Sequence, residues 1–158
     1  PRSDQVACRG LELPRARPPH CMNEPALIQE VLDNSSLWFV VGLGNNPSRT
    51  AFSVASTIAA HGKKVIPIHP RAESVHGEQG FTSIAQAAAV HGAPDVVDMF
   101  VNSDRVGELT DQALAAGAKA VWFQLGVVDY DAAKRVEDLG RGMIMDRCPA
   151  IEWSRAPG

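Results

Sequence analysis

A short apolar run that meets a glycine-containing turn constrains the fold more than any other stretch of the chain. Residues 37–41 (Leu-Trp-Phe-Val-Val) are apolar throughout, the sequence Gly42-Leu43-Gly44-Asn45-Asn46-Pro47-Ser48-Arg49 follows, and a helical pattern begins at Thr50. This succession predicts a strand, a tight loop and a helix with Ser48 as its N-cap. N–H groups at such a helix N-terminus attract phosphate, and Arg49 would add a positive charge. The spacing G-x-G-x-x-P lacks the third glycine of the dinucleotide fingerprint, so an ordinary turn is the alternative.

Apolar runs alternate with helical patterns along the rest of the chain. Further strands are predicted at 63–70, 95–101, 118–125 and 142–146, and helices at 24–32, 50–61, 83–90, 103–116 and 129–139. Ser103 is the predicted N-cap of the fourth helix, and Pro67 indicates that the hydrogen bonding of the second strand is interrupted or edge-like. Strands that alternate with helices predict an α/β fold, a doubly wound, mainly parallel sheet of five to six strands in a single domain.

Composition excludes several classes of protein. The chain has 158 residues and a formal net charge of −3, which argues against a nucleic-acid-binding surface. No apolar run approaches the roughly 18 residues that a membrane span requires. Three cysteines at wide spacing match no zinc pattern, and a cytoplasmic location is the simplest expectation.

The first 21 residues differ from the rest, because arginines alternate there with prolines. We expect residues 1–21 to be a disordered or dispensable extension that cannot bury enough apolar surface to fold. The first methionine is Met22, so the expected domain spans residues 22–158 and Met22 is the expected biological start.

In such a sheet, ligands bind at the carboxyl ends of the strands. An NAD site would place an acidic residue at the end of the second strand, but this chain has His69-Pro70-Arg71 there, with Glu73 only beyond it. A cation at that place suits a phosphorylated ribose, as in NADP or coenzyme A. The strand ends offer no convincing catalytic set and no metal-ligand spacing.

Five motifs follow one another with a distinctive spacing. They are Val40-Val41-Gly42-x-Gly44-x-x-Pro47, Val65-Ile66-Pro67-Ile68-x-Pro70, Val97-Asp98-Met99-Phe100, Ala120-Val121-Trp122-x-Gln124-Leu125-Gly126 and the run Met145 to Glu152. Over residues 24–153 the chain resembles the small bacterial and archaeal CoA-binding domain proteins, free-standing relatives of the CoA-binding domain in the succinyl-CoA synthetase α subunit. The resemblance implies a Rossmann-like fold that binds coenzyme A, with no catalytic activity of its own.

The resemblance also implies a set of binding residues. The loop residues Gly42, Leu43, Gly44, Asn45 and Asn46, together with Arg49, would hold the phosphates. Pro70 and Arg71 would border the 3′-phosphate of the adenosine, and His69 lies where it could contact adenine. The pantetheine would lie along Val101, Gln124, Leu125 and Gly126, with Cys148 and Pro149 beyond. Many relatives carry an arginine where this chain has Val101.

Two kinds of function therefore stay open. One is a protein that binds coenzyme A or an acyl-CoA without catalysis, for a protein partner that the sequence does not identify. The other is an enzyme, either an NADP-dependent reductase or an acyl-CoA ligase component that works with a separate subunit. Three side chains have unsettled roles: Cys148 is either a thiol facing the ligand or a buried apolar residue, Asp146 is predicted to pair with Arg147, and Asp98 needs a hydrogen-bonding partner.

Overall fold

The computed structural model describes residues 21–155, so nearly all of the predicted N-terminal extension lies outside the described part of the chain. Strands and helices alternate from one end of this part to the other. In chain order they are α1 (Pro25–Asn34), β1 (Leu37–Val41), α2 (Thr50–Ala60), β2 (Lys64–Ile68), α3 (Ile84–His91), β3 (Val96–Met99), α4 (Ser103–Ala115), β4 (Ala120–Phe123), α5 (Tyr130–Asp138), β5 (Gly142–Ile144) and α6 (Pro149–Arg155).

All five strands lie parallel in one sheet of order β2-β1-β3-β4-β5. This confirms the predicted Rossmann-like, doubly wound α/β fold with five strands. The chain passes from β1 outward to β2 and then returns to place β3 on the other side of β1. The direction of winding therefore reverses between β1 and β3, and the crevice at their carboxyl ends is where such sheets bind ligands.

The sheet is covered on both faces because alternate strand residues point to opposite sides. On one face Phe39, Val97 and Val121 pack with residues of α3, α4 and α5. On the other face Trp38, Val40 and Trp122 pack with α1 and α2. Both tryptophan rings are fully buried, and their ring centroids lie 5.8 Å apart. The uninterrupted apolar runs in the sequence therefore correspond to strands that are buried on both sides.

The two edges of the sheet are closed by chain segments rather than by strands. Pro67 lies in the edge strand β2, as its missing N–H predicts. Phe81 completes that edge by donating its N–H to the Pro67 carbonyl at 3.0 Å. At the opposite edge, the Asn23 side chain donates to the Met145 carbonyl at 3.0 Å and accepts the Met145 N–H at 2.8 Å. The residue before Asn23 is also fixed, because Met22 donates its N–H to the Glu137 carboxylate at 2.9 Å, so specific contacts of the described fold precede α1.

The predicted caps of two helices are wrong. The N-cap of α2 is Arg49, and Ser48 instead gives its N–H and its hydroxyl to the Asn46 side chain. The N-cap of α4 is Asn102, and Ser103 is the first helical residue. The Ser103 hydroxyl donates to the Gly126 carbonyl at 3.3 Å and accepts the Val128 N–H at 2.9 Å. Ser103 therefore fastens the loop after β4 instead of closing its own helix.

The sequence analysis did not predict α6, which is only seven residues long. Its Trp153 ring lies 6.0 Å from Trp38 and stacks on His61 at 4.1 Å with an interplanar angle of 4°. The helix therefore extends the aromatic side of the core. None of the helices in the described part of the chain combines the length and apolar content that a bilayer span requires.

We expect Trp153→Ala to lower the free energy of unfolding by about 2–3 kcal/mol, somewhat less than a fully buried tryptophan. The substitution removes the ring that covers Trp38 and His61. Chemical denaturation measures the effect, with Ile151→Ala as the control because that side chain, on the same helix, is 38% exposed. Equal losses in the two variants would contradict the packing role of Trp153.

Candidate functional site

The loop after β1, residues Gly42 to Arg49, is called the glycine loop below. Its first residue is fixed between two strands, because Gly42 donates its N–H to the Ile68 carbonyl while Phe100 donates to the Val41 carbonyl, both at 2.8 Å. Gly42 has a φ of +93°, and a Cβ at this position would lie 2.1 Å from the Phe100 carbonyl oxygen. Only glycine fits where the loop leaves the sheet.

Several N–H groups of the glycine loop are already used inside the protein. Asn45 donates its N–H to a Glu73 carboxylate oxygen at 2.9 Å, and Arg49 donates to the Asn46 carbonyl at 3.0 Å. The helix that follows is different, since its N-cap Arg49 makes no side-chain capping hydrogen bond. The first amides of an α-helix have no partner within the helix, so those of Thr50 and Ala51 are the ones suited to an anion.

Two cavities open at the carboxyl edge of the sheet, one on each side of the glycine loop. The first, called the histidine cavity, measures about 330 Å³. It lies between the ends of β1, β2 and β3, the start of α3 and one face of α4. Its lining comprises Val41, Gly42, Arg49, Ile68, His69, Pro70, Thr82, Ser83, Ile84, Phe100, Val101, Asn102, Arg105, Leu109 and Gln112.

The second, called the cysteine cavity, measures about 600 Å³ and lies between the ends of β1, β3 and β4. It is lined by Gly42, Ser48, Arg49, Thr50, Ala51, Phe100, Val101, Asn102, Gln124, Leu125, Val127 and Cys148. Five residues line both cavities and form what we call the shared wall: Gly42, Arg49, Phe100, Val101 and Asn102. The shared wall stands at the crevice where the winding of the sheet reverses.

The charge of the site is positive although the chain as a whole carries −3. Among the described residues, no aspartate or glutamate lines either cavity, whereas Arg49 lines both and Arg105 lines the histidine cavity. Neither arginine forms an ion pair within residues 21–155. A cavity with unpaired guanidinium groups is suited to a phosphorylated ligand.

A buried carboxyl lies beneath the cysteine cavity. Asp98, in the middle of β3, is fully buried, and Gln124 donates its side-chain N–H to one carboxyl oxygen at 2.8 Å. The other carboxyl oxygen has no hydrogen-bond partner. Burial raises the pKa of Asp98 to about 8, against the opposing effect of the Gln124 hydrogen bond. Gln124, which lines the cysteine cavity, is thus the hydrogen-bonding partner that Asp98 needs. At neutral pH the Asp98 carboxyl that accepts this hydrogen bond is mostly protonated.

The loop after β4 is fastened to the end of β5. Gly126 donates its N–H to the Asp146 carboxylate at 2.7 Å, and Asp146 has a φ of +61°. Arg147 donates to the Asp146 backbone carbonyl, not to its carboxylate. The predicted Asp146–Arg147 ion pair is therefore wrong, and the carboxylate instead holds the loop that forms one side of the cysteine cavity.

The structure brings together most of the binding residues predicted from the sequence. Gly42, Arg49, His69, Pro70, Val101, Gln124, Leu125 and Cys148 line one or both cavities. The others lie around the cavities without lining them. Leu43 is buried in the core, Asn45, Asn46 and Arg71 are exposed, and Gly44, Gly126 and Pro149 lie in or next to the neighbouring loops.

Sequence reasoning missed the lining residues that α3 and α4 contribute. Thr82 and Ser83 lie at the start of α3, where the Ser83 hydroxyl caps the helix by accepting the Gln86 N–H at 3.1 Å. Arg105, Leu109 and Gln112 recur at helical spacing on α4. That spacing is visible in the sequence, but a helix stripe of two polar residues and a leucine is indistinguishable from an ordinary partly solvated face until the neighbouring elements are placed.

A third cavity, of about 450 Å³, lies at the amino ends of the strands, and the carboxylate in its wall has partners within the protein. Asp95, in its wall, accepts the N–H groups of Ser36 and Leu37 at 2.8 and 2.9 Å and pairs with Lys119. Burial acts to raise the pKa of Asp95, but these partners together hold it below its ordinary value. Within residues 21–155, no three His, Cys, Asp or Glu side chains are grouped as metal ligands.

Comparison with known proteins gives the family of the chain. Residues 36–154 match the family model described as CoA binding domain. The protein named Uncharacterized protein YneT from Bacillus subtilis (strain 168) is 30% identical over 123 residues, which are 78% of this chain and 89% of the relative.

Two solved structures illustrate the shared fold. A hypothetical protein from Pyrococcus horikoshii OT3 has a TM-score of 0.79 at 29% identity, covering 92% of this chain and 100% of that one. A structure from Thermus thermophilus has a TM-score of 0.76 at 25% identity, covering 84% of this chain and 98% of that one.

Proposed function

The chain belongs to the CoA binding domain family, and we propose that it binds coenzyme A across the shared wall of its two cavities. The observation that carries this proposal is the position of Arg49. This residue lines both cavities at once, beside Gly42 and at the N-terminus of α2. A ligand with an anionic centre and two dissimilar arms fits that arrangement.

The diphosphate is the anionic centre of coenzyme A. We place it against the Arg49 guanidinium and the first amides of α2, which combine a full charge with the helix dipole. The adenosine arm then enters the histidine cavity, where His69 and Pro70 provide a flat, partly apolar wall. The pantetheine arm enters the cysteine cavity, which the side chains of Leu125, Val127 and Cys148 make more apolar.

Binding without catalysis is the function that this lining supports best. General acid–base chemistry most often uses a histidine or a carboxylate placed beside the reacting group, and the described linings contain no carboxylate. His69 and Cys148 lie in different cavities, so they are not placed as a nucleophile and its base. The reductase and ligase alternatives would require catalytic groups beyond those that line the two cavities.

Isothermal titration calorimetry tests the proposal with four ligands at one ionic strength: coenzyme A, an acyl-CoA, NADPH and NADH. We expect coenzyme A or its acyl form to bind with higher affinity than either nicotinamide cofactor. Tighter binding of NADPH would favour the reductase alternative, and heat-silent titrations with no thermal stabilisation by any CoA form would contradict the proposal.

We expect Arg49→Ala to weaken the binding of coenzyme A by about 1–3 kcal/mol, or roughly 5- to 150-fold, the effect of losing a charged hydrogen bond. Calorimetry measures the change, with Arg155→Ala as the control because it removes the same charge from α6, away from both cavities. The control is expected to bind coenzyme A like the wild type. Unchanged affinity in the Arg49 variant would mean that the diphosphate lies elsewhere.

A further inference from the structure

We propose that Arg105 binds the phosphate monoester on the ribose of coenzyme A and thereby selects the 3′-phosphorylated nucleotide over its dephosphorylated form. The inference rests on the proposed function and deepens it, because it assigns the extra phosphate to one side chain. The same role was expected from the sequence for Arg71.

Arg105 is placed on the adenosine side of the site. It lies in the first turn of α4, with Leu109 and Gln112 on the same helix face, and these three residues line the histidine cavity but not the cysteine cavity. Arg49 differs in lining both. An anion that contacts Arg105 is therefore displaced from the shared wall toward the adenosine arm, where the ribose carries its monoester.

The charge balance of the cavity calls for a second anionic group. Arg49 and Arg105 bring two guanidinium groups to a cavity of about 330 Å³ whose described lining holds no carboxylate. Asp104 and Glu108 belong to the same helix as Arg105 but line neither cavity. One diphosphate at the shared wall occupies Arg49, so the charge of Arg105 remains to be matched by a further phosphate.

Other lining residues of the histidine cavity also favour an anion on the side of Arg105. Thr82 and Ser83 line the same cavity at the N-terminus of α3, and the positive end of that helix dipole faces the cavity wall. Arg71 lacks these surroundings: its side chain is exposed, it lines neither cavity, and its N–H donates to the His69 ring at 3.2 Å.

The test compares coenzyme A with dephospho-CoA in the wild type, Arg105→Gln and Arg71→Gln. The measured quantity is the ratio of the two dissociation constants, which isolates the contribution of the 3′-phosphate. We expect the wild type to bind coenzyme A about tenfold or more tightly than dephospho-CoA. In Arg105→Gln the ratio is expected to fall to within about twofold, with dephospho-CoA binding unchanged, while Arg71→Gln keeps the wild-type ratio.

Several outcomes would overturn the assignment. They are a wild-type ratio near one, an unchanged ratio in Arg105→Gln, an equal weakening of both ligands in that variant, or a ratio that falls as far in Arg71→Gln. Thermal unfolding of each variant without ligand shows whether it is folded, and a folded Arg105→Lys variant should restore part of the ratio. If the wild type binds neither ligand, the proposed function itself fails, an outcome distinct from those above.

Discussion

Replacing Gly42 by alanine is expected to lower the free energy of unfolding by about 2–5 kcal/mol and to eliminate measurable binding of coenzyme A. Two costs combine at this position. The left-handed φ of +93° is unfavourable for alanine, and the new Cβ would lie 2.1 Å from the Phe100 carbonyl oxygen. To relieve that overlap, the glycine loop must move away from β3. This movement also displaces Arg49 and the start of α2.

The Gly62→Ala variant separates the cost of the left-handed conformation from the cost of the steric overlap. Gly62 has nearly the same conformation, with a φ of +85°, but a Cβ there would have no atom within 4 Å. We expect this control to lose only about 1–2 kcal/mol and to bind coenzyme A like the wild type. Chemical denaturation and calorimetry give both quantities for both variants. Equal losses of stability, or retained binding in the Gly42 variant, would show that the loop does not depend on its contact with Phe100.

The second large effect is expected from Asp98→Asn, which should stabilise the protein increasingly as the pH rises. Burial raises the pKa of Asp98 to about 8 in the folded state, so the folded protein retains a proton that the unfolded chain releases near pH 4. The contribution of Asp98 to wild-type stability must therefore decline as the pH rises from about 4 to about 8. An asparagine resembles the protonated acid, can still accept the Gln124 hydrogen bond and carries no such penalty.

We expect the variant to exceed the wild type by about 1–2 kcal/mol at pH 5 and by about 4–5 kcal/mol at pH 8. Urea denaturation at a series of pH values measures the difference. Asp95→Asn provides an opposite control, because the depressed pKa of Asp95 means that its ionised form stabilises the fold at neutral pH. That variant should be less stable than the wild type at neutral pH. An Asp98 variant with the wild-type pH dependence would show that this carboxyl is not held protonated.

The features best predicted from the sequence are those that a short run of residues determines locally. Leu37–Val41 was predicted with its observed bounds, because five apolar residues before a glycine fit only a strand buried on both faces. Pro67 marked the edge strand because it has no N–H to donate. The start of α2 at Thr50 was also predicted, although its cap was assigned to Ser48 instead of Arg49.

The features that were missed depend on contacts between distant parts of the chain. Serine is a common N-cap residue, but the Ser103 hydroxyl forms hydrogen bonds to the loop after β4 instead. The partner of Asp98 is Gln124, which lies 26 positions away and was assigned only to the ligand. Arg105 became a candidate only because the fold brings α4 and the end of β2 to the same cavity. Sequence patterns indicate which elements form, but only the packed sheet shows which side chains share a cavity.

The most direct test of the account is a crystal structure of the protein grown with coenzyme A. We expect density for the diphosphate within hydrogen-bonding distance of the Arg49 side chain and the first amides of α2. The adenine should lie in the histidine cavity beside His69, and the pantetheine should extend past Gln124. Coenzyme A bound at the amino ends of the strands near Asp95, or two empty cavities at saturating ligand, would contradict the account.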